Sequence, residues 1–364
     1  MNALASILSR FLAQVASTRD PTAFQEWVRR QRLEPLFYGV EFDGITFNAS
    51  FLDECRTAYF NMIGHARKFT IETERLNELL AAAGISAYAW RGVVHGNELY
   101  GDPALRYFAD IDLMVDRRDK WKALAIMEAS GYRIRNRLAP RWYLARYHLH
   151  WPLIRSDGMF PVDLHWSVDH PYRISADRSF DFKSPVDRIL MALLHAEKES
   201  RLRYAVSEND LQEKLINAGP ILPWFDAALM ITAADATTHN AVQLRIEKTQ
   251  DRRDYYRGLW VLRKYFGVSM PDMAIPVPDY YIASNWRNYL CQSRPAKWFA
   301  EKIGCRSDAL LDWWDMPENP SESRLTMGLK KSFHALRLTI DSAACGLWIL
   351  AYRMSGRSTS MSAG

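Results

Sequence analysis

The sequence has few cysteines, and none of them stands in a metal-binding or redox spacing. Its four cysteines are Cys55, Cys291, Cys305 and Cys345. No two of them form a Cys-x-x-Cys pair, so neither a zinc ribbon nor a thioredoxin-like redox site is indicated. Cysteines this far apart favour free, mostly buried thiols over a disulfide framework.

The common signatures of nucleotide-binding and hydrolytic folds are also missing. The sequence contains no Gly-x-x-x-x-Gly-Lys-Ser/Thr loop, no Gly-x-Ser-x-Gly turn and no protein-kinase signature. It contains no internal repeat and no low-complexity stretch before residue 355. These absences exclude P-loop NTPases, α/β-hydrolases, protein kinases and repeat proteins as explanations of the chain.

Long hydrophobic runs and long runs of one charge are lacking as well. The most apolar late segment, residues 336–352, is interrupted by Arg337 and Asp341, which is unsuited to a membrane span. Residues 1–15 have no basic stretch before their apolar positions, so we expect no signal peptide. The net charge of +5 is mild and not gathered in a Lys/Arg tract, so we expect neither a membrane nor a nucleic acid as partner. A cytoplasmic location is the expectation.

What is present is an ordinary globular composition with alternating strand and helix patterns in the middle of the chain. Its 364 residues suffice for two or three domains. We expect a helical N-terminal lead-in over residues 1–67, an α/β (α+β) core over 68–180, a helical C-terminal domain over 181–354 and a disordered tail over 355–364.

The most informative feature is a pair of aspartates, Asp110 and Asp112, inside the apolar run of residues 107–115. We predict a strand here, because β-favouring residues dominate the run. Side chains alternate along a strand, so both carboxylates point to one face. Adjacent carboxylates repel unless a cation lies between them, and oxygen ligands suit Mg²⁺ or Mn²⁺. The alternative is a solvated Asp-x-Asp pair on an edge strand.

Two other features fit the same chemistry. Arg91 and Gly92 follow a predicted strand and open a short predicted helix, where a glycine and the first helical amides can approach a phosphate. Asp163 lies in the second strand of a predicted hairpin, residues 147–155 and 160–168. A third carboxylate can complete a second metal position or accept a proton from an attacking hydroxyl.

Histidines on the same hairpin offer a competing site. If Arg155 pairs with Phe160, one face of the hairpin carries the side chains of His148, His150, Asp163 and His165. These residues, with His170, are compatible with a zinc site. The other interpretation is that the histidines orient the carboxylates or pack beside tryptophans.

Taken in order, these motifs resemble the uncharacterised nucleotidyltransferase family of the polymerase-β-like superfamily. The resemblance rests on Trp90-Arg91-Gly92, on residues 98–113 with their Asp-Ile-Asp-Leu, on the Gly-Tyr at 131–132 and on Val-Asp-Leu-His-Trp at 162–166. It is dense over residues 68–170 and looser over the helical remainder.

The resemblance implies a nucleotidyltransferase core with a mixed sheet that transfers a nucleoside monophosphate from a nucleoside triphosphate with Mg²⁺ or Mn²⁺. It implies that the metal-binding and catalytic residues are Asp110, Asp112 and Asp163, and that the nucleotide side is formed by Arg91, Gly92 and Arg106. Two positions depart from the family pattern. Arg91 replaces the usual lysine, and a second histidine after His195 is missing, which leaves the role of His195 open.

Three functions follow as hypotheses. The first is a nucleotidyltransferase acting on a small-molecule, peptide or protein acceptor that the sequence does not identify. The second is a non-catalytic nucleotide-binding or scaffold protein with the same fold. The third is a metallohydrolase that uses the hairpin histidines.

Overall fold

The computed structural model describes residues 3–42, 44–135, 140–168, 180–200, 207–249, 252–271 and 273–278, and single residues 202, 205, 340, 341, 343, 344 and 347. They fall into two compact units, one drawn from residues 1–133, 153–169 and 179–281 and the other from residues 134–152, 170–178 and 282–364. Our expectations for Cys291, Cys305, Cys345, His170 and the tail at 355–364 lie outside the described residues.

Helices dominate the described part of the chain. The α-helices are α1 (Ala3–Ser17), α2 (Pro21–Gln31), α3 (Glu34–Gly39), α4 (Ala49–Ala82), α5 (Gly92–Tyr100), α6 (Lys120–Ala129), α7 (Arg141–Tyr147), α8 (Pro185–Ser200), α9 (Glu208–Glu213), α10 (Leu222–Ala233), α11 (Ala236–Glu247) and α12 (Arg252–Tyr265). A 3₁₀ turn covers Pro103–Leu105, and a π-helical turn covers Lys214–Ala218.

Five strands form one mixed sheet. They are β1 (Ala87–Ala89), β2 (Ile111–Val115), β3 (Tyr132–Ile134), β4 (His150–Arg155) and β5 (Pro161–His165). Their order is β1-β2-β5-β4-β3, with β1 antiparallel and β5 parallel to β2. The expected α/β fold with a mixed sheet and flanking helices is confirmed.

The central strand is shorter than we predicted. β2 begins at Ile111, so Asp110 lies in a bend before the strand and Asp112 is its second residue. Within the described residues, the registers of β2 with β1 and β5 begin at Leu113 and Ile111, so no strand pairing of β2 precedes Ile111. All five residues of β2 are buried. The strand therefore has two covered faces instead of one apolar and one open face.

A long helix supports the sheet. Helix α4 begins at Ala49, inside the expected helical lead-in, where the Asn48 side chain accepts a hydrogen bond from the Phe51 amide at 2.8 Å. It ends before Gly84, which adopts a left-handed φ of 71°. Because α4 runs across residue 67, no helix ends at the expected boundary of the lead-in. The domain boundaries stay a prediction.

Helices from early and late in the chain share one core in the first unit. α1 packs on α10, and α8 packs against α10, α11 and α12. The Phe11 ring of α1 stacks on Phe266, just after α12, with ring centroids 4.6 Å apart. The core therefore joins segments that lie more than two hundred residues apart in sequence.

The hairpin turn has the expected register, since the Arg155 amide donates to the Phe160 carbonyl at 3.2 Å. Its first predicted strand is shorter at the start, because residues up to Tyr147 form α7.

Within the described ranges, no single helix is long and apolar enough to cross a membrane. The stretches Glu208–Asn217 and Leu222–Ala233 reach that length and hydropathy only when taken together, and they are bent by 105° relative to each other.

Candidate functional site

Two of the three predicted carboxylates meet across neighbouring strands. Asp112 of β2 and Asp163 of β5 are partners in the parallel register. Partners in such a register present their side chains on the same face of the sheet. Asp112 is buried and Asp163 half-buried, as is Asp110 in the bend before β2. The fold thus brings Asp163 beside an aspartate that lies about fifty positions earlier in the chain.

Arg91 reaches this pair from the end of β1. Its Nη2 donates to Asp112 Oδ1, and its guanidinium lies over the Trp90 ring, 4.3 Å from the centroid. The backbone of Arg91 has a φ of 63°, a left-handed conformation that is costly for a residue other than glycine. The turn after β1 therefore holds a strained residue whose side chain contacts a predicted metal ligand.

The Asp112 carboxylate is ionised at neutral pH. Burial alone would raise its pKa, but the Arg91 charge and the hydrogen bond from His165 lower the pKa to about 2. Both of these donors use Oδ1, with His165 Nε2 at 2.9 Å. Within the part of the chain that the structure describes, Oδ2 accepts no hydrogen bond, so one oxygen of an ionised carboxylate is left for a cation.

Two histidines surround the Arg91–Asp112 pair. Burial lowers the pKa of His165, so its neutral ring donates through Nε2 to Asp112. Burial and the neighbouring Arg91 hold the pKa of His195 well below its usual value. The neutral His195 ring, on α8, lies against Arg91 Nη1, with Nδ1 at 3.1 Å and Nε2 closer. The structure thus gives His195, whose role the sequence left open, a contact with Arg91.

Gly92 begins α5 in a left-handed backbone conformation. Its φ is 48°, and a Cβ at this position would lie 3.4 Å from the Asp110 carbonyl oxygen. The first amides to bond within the helix are those of Val94 and His95, which both donate to the Arg91 carbonyl. The amides of Gly92 and Val93 therefore have no intrahelical acceptor and can meet an anion.

Arg106 is held by an acid that sequence reasoning missed. Its Nε and Nη2 donate to Asp226 of α10, with Nη2 at 2.6 Å from Oδ2. Asp226 also accepts from Tyr100 at 3.0 Å and lies 3.0 Å from His95 Nδ1. All four side chains are buried. The signal that could have revealed Asp226 is a lone carboxylate inside the apolar run Leu222–Ala233.

Arg106 and Asp226 each stabilise the charged form of the other. Although burial would raise the pKa of Asp226, Arg106 and His95 hold that pKa well below its ordinary value. Asp226 also fastens α10 to α5, because two of its partners, His95 and Tyr100, are residues of α5.

A cavity of about 320 Å³ opens at the predicted site. Its lining includes five of the six predicted site residues, namely Arg91, Gly92, Arg106, Asp110 and Asp112. Asp163 is not among the lining residues. Two segments far from the motifs complete the wall, residues 30–32 and a second segment that contributes Pro220, Leu222 and Pro223.

The hairpin histidines are divided by the fold. His165 belongs to the first unit, whereas His148 and His150 belong to the second. A ring nitrogen of His165 lies within 4.8 Å of a carboxylate oxygen of Asp163, close enough for one ion to contact both. The identity of such an ion stays a prediction.

Comparison with known proteins places the chain in a family. The sequence profile of a family described as uncharacterised nucleotidyltransferase matches residues 17–267, which is more than half of the chain. No curated protein and no solved structure matches the chain. The match covers the glycine turn, all three predicted carboxylates and the helices that carry His195 and Asp226. It supports a nucleotidyltransferase function with a nucleotide as substrate. The chain belongs to the uncharacterised nucleotidyltransferase family.

Proposed function

We propose that this protein transfers a nucleoside monophosphate from a nucleoside triphosphate to an acceptor by a reaction that depends on Mg²⁺ or Mn²⁺. Asp110, Asp112 and Asp163 would bind the metal, and Asp163 would also accept the acceptor's proton. Arg91 and Gly92 would hold the phosphates. Arg106, which lines the cavity, would contribute to nucleotide binding.

One observation carries the proposal. Asp112 and Asp163 are register partners, and Asp112 lines a cavity together with Arg91 and Gly92. Carboxylates, an arginine and free helix amides are the groups that phosphoryl transfer requires, because the reaction depends on positioning and charge stabilisation.

The donors fit a hard divalent cation. They are carboxylate oxygens, the ligand type that Mg²⁺ and Mn²⁺ prefer. Asp112 is ionised, and its Oδ2 has no hydrogen-bond donor within the described residues. A bound cation would stabilise the charge that develops on the phosphate oxygens during transfer.

In the proposed reaction, an acceptor oxygen attacks the α-phosphorus while the bond to the β-phosphate breaks and pyrophosphate leaves. The proton of the attacking hydroxyl passes to Asp163. Arg91 and the first amides of α5 neutralise the phosphate charge. His165 holds the Asp112 carboxylate in place through its Nε2–H.

A second function has one observation in its favour. The ion pair between Arg91 and Asp112 joins a predicted phosphate ligand directly to a predicted metal ligand. A protein that binds nucleotides without catalysis could retain this pair as a permanent structural contact. Such a protein would bind a triphosphate and release no pyrophosphate.

The decisive test uses the full chain with Mg²⁺, each α-labelled nucleoside triphosphate and a cell lysate as the source of acceptor. We expect label transfer and pyrophosphate release, and we expect Asp112→Asn to reduce both by about two orders of magnitude or more. Asp116→Asn is the matched control, since Asp116 follows the same strand and pairs with the exposed Arg118. Activity retained in Asp112→Asn would remove the assignment.

The metallohydrolase hypothesis is tested by metal analysis of the purified protein. Tightly held zinc would favour the histidines, because oxygen ligands alone are not expected to retain it.

A further inference from the structure

Part of the cavity wall is formed by residues that none of the nucleotidyltransferase motifs contains. These are Arg30, Gln31 and Arg32 at the end of α2, together with Pro220, Leu222 and Pro223 before and at the start of α10. Arg91, Gly92, Asp110 and Asp112 line the rest with the segment before β2. The motif residues therefore do not account for the α2 side of the cavity.

This side is firmly built. The buried Gln31 side chain donates to the Gly219 carbonyl at 3.2 Å and accepts from the Ile221 amide at 2.9 Å. Trp27, one turn earlier and also buried, donates to the Ile216 carbonyl at 2.8 Å. These bonds join the end of α2 to the segment before α10. The two arginines that flank Gln31 are thus carried by a rigid support.

Arg32 faces the segment before β2. It adopts a left-handed φ of 57° where α2 ends. Its guanidinium lies 4.4 Å from the centroid of the Tyr107 ring and donates to the Tyr107 hydroxyl. Tyr107 lines the same cavity. A guanidinium held on an aromatic ring keeps its remaining donors available to a ligand.

Neither arginine forms an ion pair with a carboxylate within the part of the chain that the structure describes, although the Arg32 charge acts on the nearby Glu34 carboxyl, whose pKa is raised by burial. Arg29, their neighbour in α2, pairs with Glu54, whereas Arg30 donates only to the neutral amide oxygen of Asn217, at 3.4 Å. Arg19 donates to that same oxygen at 3.1 Å. Burial and the charge of Arg30 lower the pKa of Arg19. Two cations therefore converge on one uncharged acceptor.

The charged residues that line the cavity are four arginines, Arg30, Arg32, Arg91 and Arg106, and two aspartates, Asp110 and Asp112. Arg91 pairs with Asp112, and Arg106 pairs with Asp226. The α2 side of the cavity is therefore positive. Exposed guanidinium groups that share a cavity wall attract phosphate or carboxylate groups and bind them through paired N–H donors.

We propose that Arg30 and Arg32 form a second anion site, which binds a phosphate or carboxylate group of the acceptor. The inference rests on the proposed function, in which Arg91 and the start of α5 hold the triphosphate. The acceptor is thus an anionic small molecule, or a larger molecule that presents one anionic group.

The test measures equilibrium binding of radiolabelled inorganic phosphate to the full chain, first alone and then with Mg²⁺ and the α,β-methylene analogue of ATP, CTP, GTP or UTP. We expect phosphate to bind the protein that already holds the analogue. Calorimetry verifies that the analogue is bound. The double variant Arg30→Gln/Arg32→Gln should weaken this binding about tenfold or more. The single variant Arg32→Lys, with Arg30 unchanged, should bind phosphate more tightly than the double variant. Arg29→Gln, which removes one charge from the same helix, should leave phosphate binding unchanged.

Two results would overturn the site. One is equal phosphate binding by the double variant and the wild type. The other is displacement of phosphate by the analogue, which would mean that Arg30 and Arg32 hold the nucleotide's own phosphates. If none of the four analogues binds, nucleotidyl transfer itself fails, while the first measurement still decides whether the two arginines bind an anion.

Discussion

The Arg91 guanidinium and the Asp112 carboxylate form a direct ion pair beside the cavity. The sequence assigned these side chains to different ligands, the triphosphate and the metal. A cation at Asp112 and a phosphate at Arg91 would each replace one half of the pair. The two ligands are therefore expected to favour each other's binding, because each one compensates the charge that the other leaves unpaired.

This relationship predicts opposite effects for Arg91→Gln. The variant should bind Mn²⁺ several-fold more tightly, since no guanidinium competes for Asp112. It should bind a Mg²⁺–nucleotide analogue about tenfold more weakly, since a charged hydrogen-bond donor is lost. Calorimetry measures both constants, with the exposed Arg118→Gln as control. Unchanged Mn²⁺ affinity would show that Arg91 does not compete with the cation.

Gly92 provides a test of the turn. Gly92→Ala would place an alanine at a φ of 48° against the Asp110 carbonyl, at a cost of about 1–2 kcal/mol for the left-handed conformation. We expect a lower melting temperature and weaker nucleotide binding. Gly64→Ala is the matched control, because Gly64 lies in α4 with no atom near its Cβ position, and the change should stabilise the helix by up to about 1 kcal/mol. Equal behaviour of the two variants would contradict a strained left-handed conformation at position 92.

The buried Arg106–Asp226 pair predicts a large loss of stability. Asp226→Asn leaves Arg106 buried without a counter-charge, which should lower the free energy of unfolding by about 3–5 kcal/mol. Denaturant titration measures this loss. Replacing both partners with Arg106→Met and Asp226→Leu should recover only part of it, because His95 and Tyr100 also lose their acceptor. A loss within experimental error for Asp226→Asn would mean that the network does not hold α10 to α5.

The same aspartate predicts a pH dependence. The pKa of Asp226 in the folded protein lies below its unfolded value, which is about 4. The stabilisation it provides is therefore complete above about pH 5 and is lost as the pH falls toward the folded pKa. The difference in unfolding free energy between the wild type and Asp226→Asn should shrink between pH 7 and pH 3. A constant difference over that interval would contradict an ionised Asp226.

Local patterns predicted the elements around the site better than their limits. The strand at β2, the helix that opens at Gly92 and the hairpin register of Arg155 with Phe160 all follow from residue types close in sequence. The start of β2 was wrong by four residues, because strand length depends on where the partner strands end. The first half of α4 lies in the expected helical lead-in, whereas the boundary expected at residue 67 falls inside this one helix.

The sequence by itself determined the fold class, the resemblance to a nucleotidyltransferase and the residue types of the site, because strand alternation, glycine turns and oxygen ligands are local chemistry. Only the tertiary structure decided that Arg91 pairs with Asp112, that Arg106 is committed to Asp226, and that Arg30 and Arg32 reach the cavity. Each of these relationships joins segments distant in the chain, and their meeting depends on how helices and strands pack together, which no local pattern encodes.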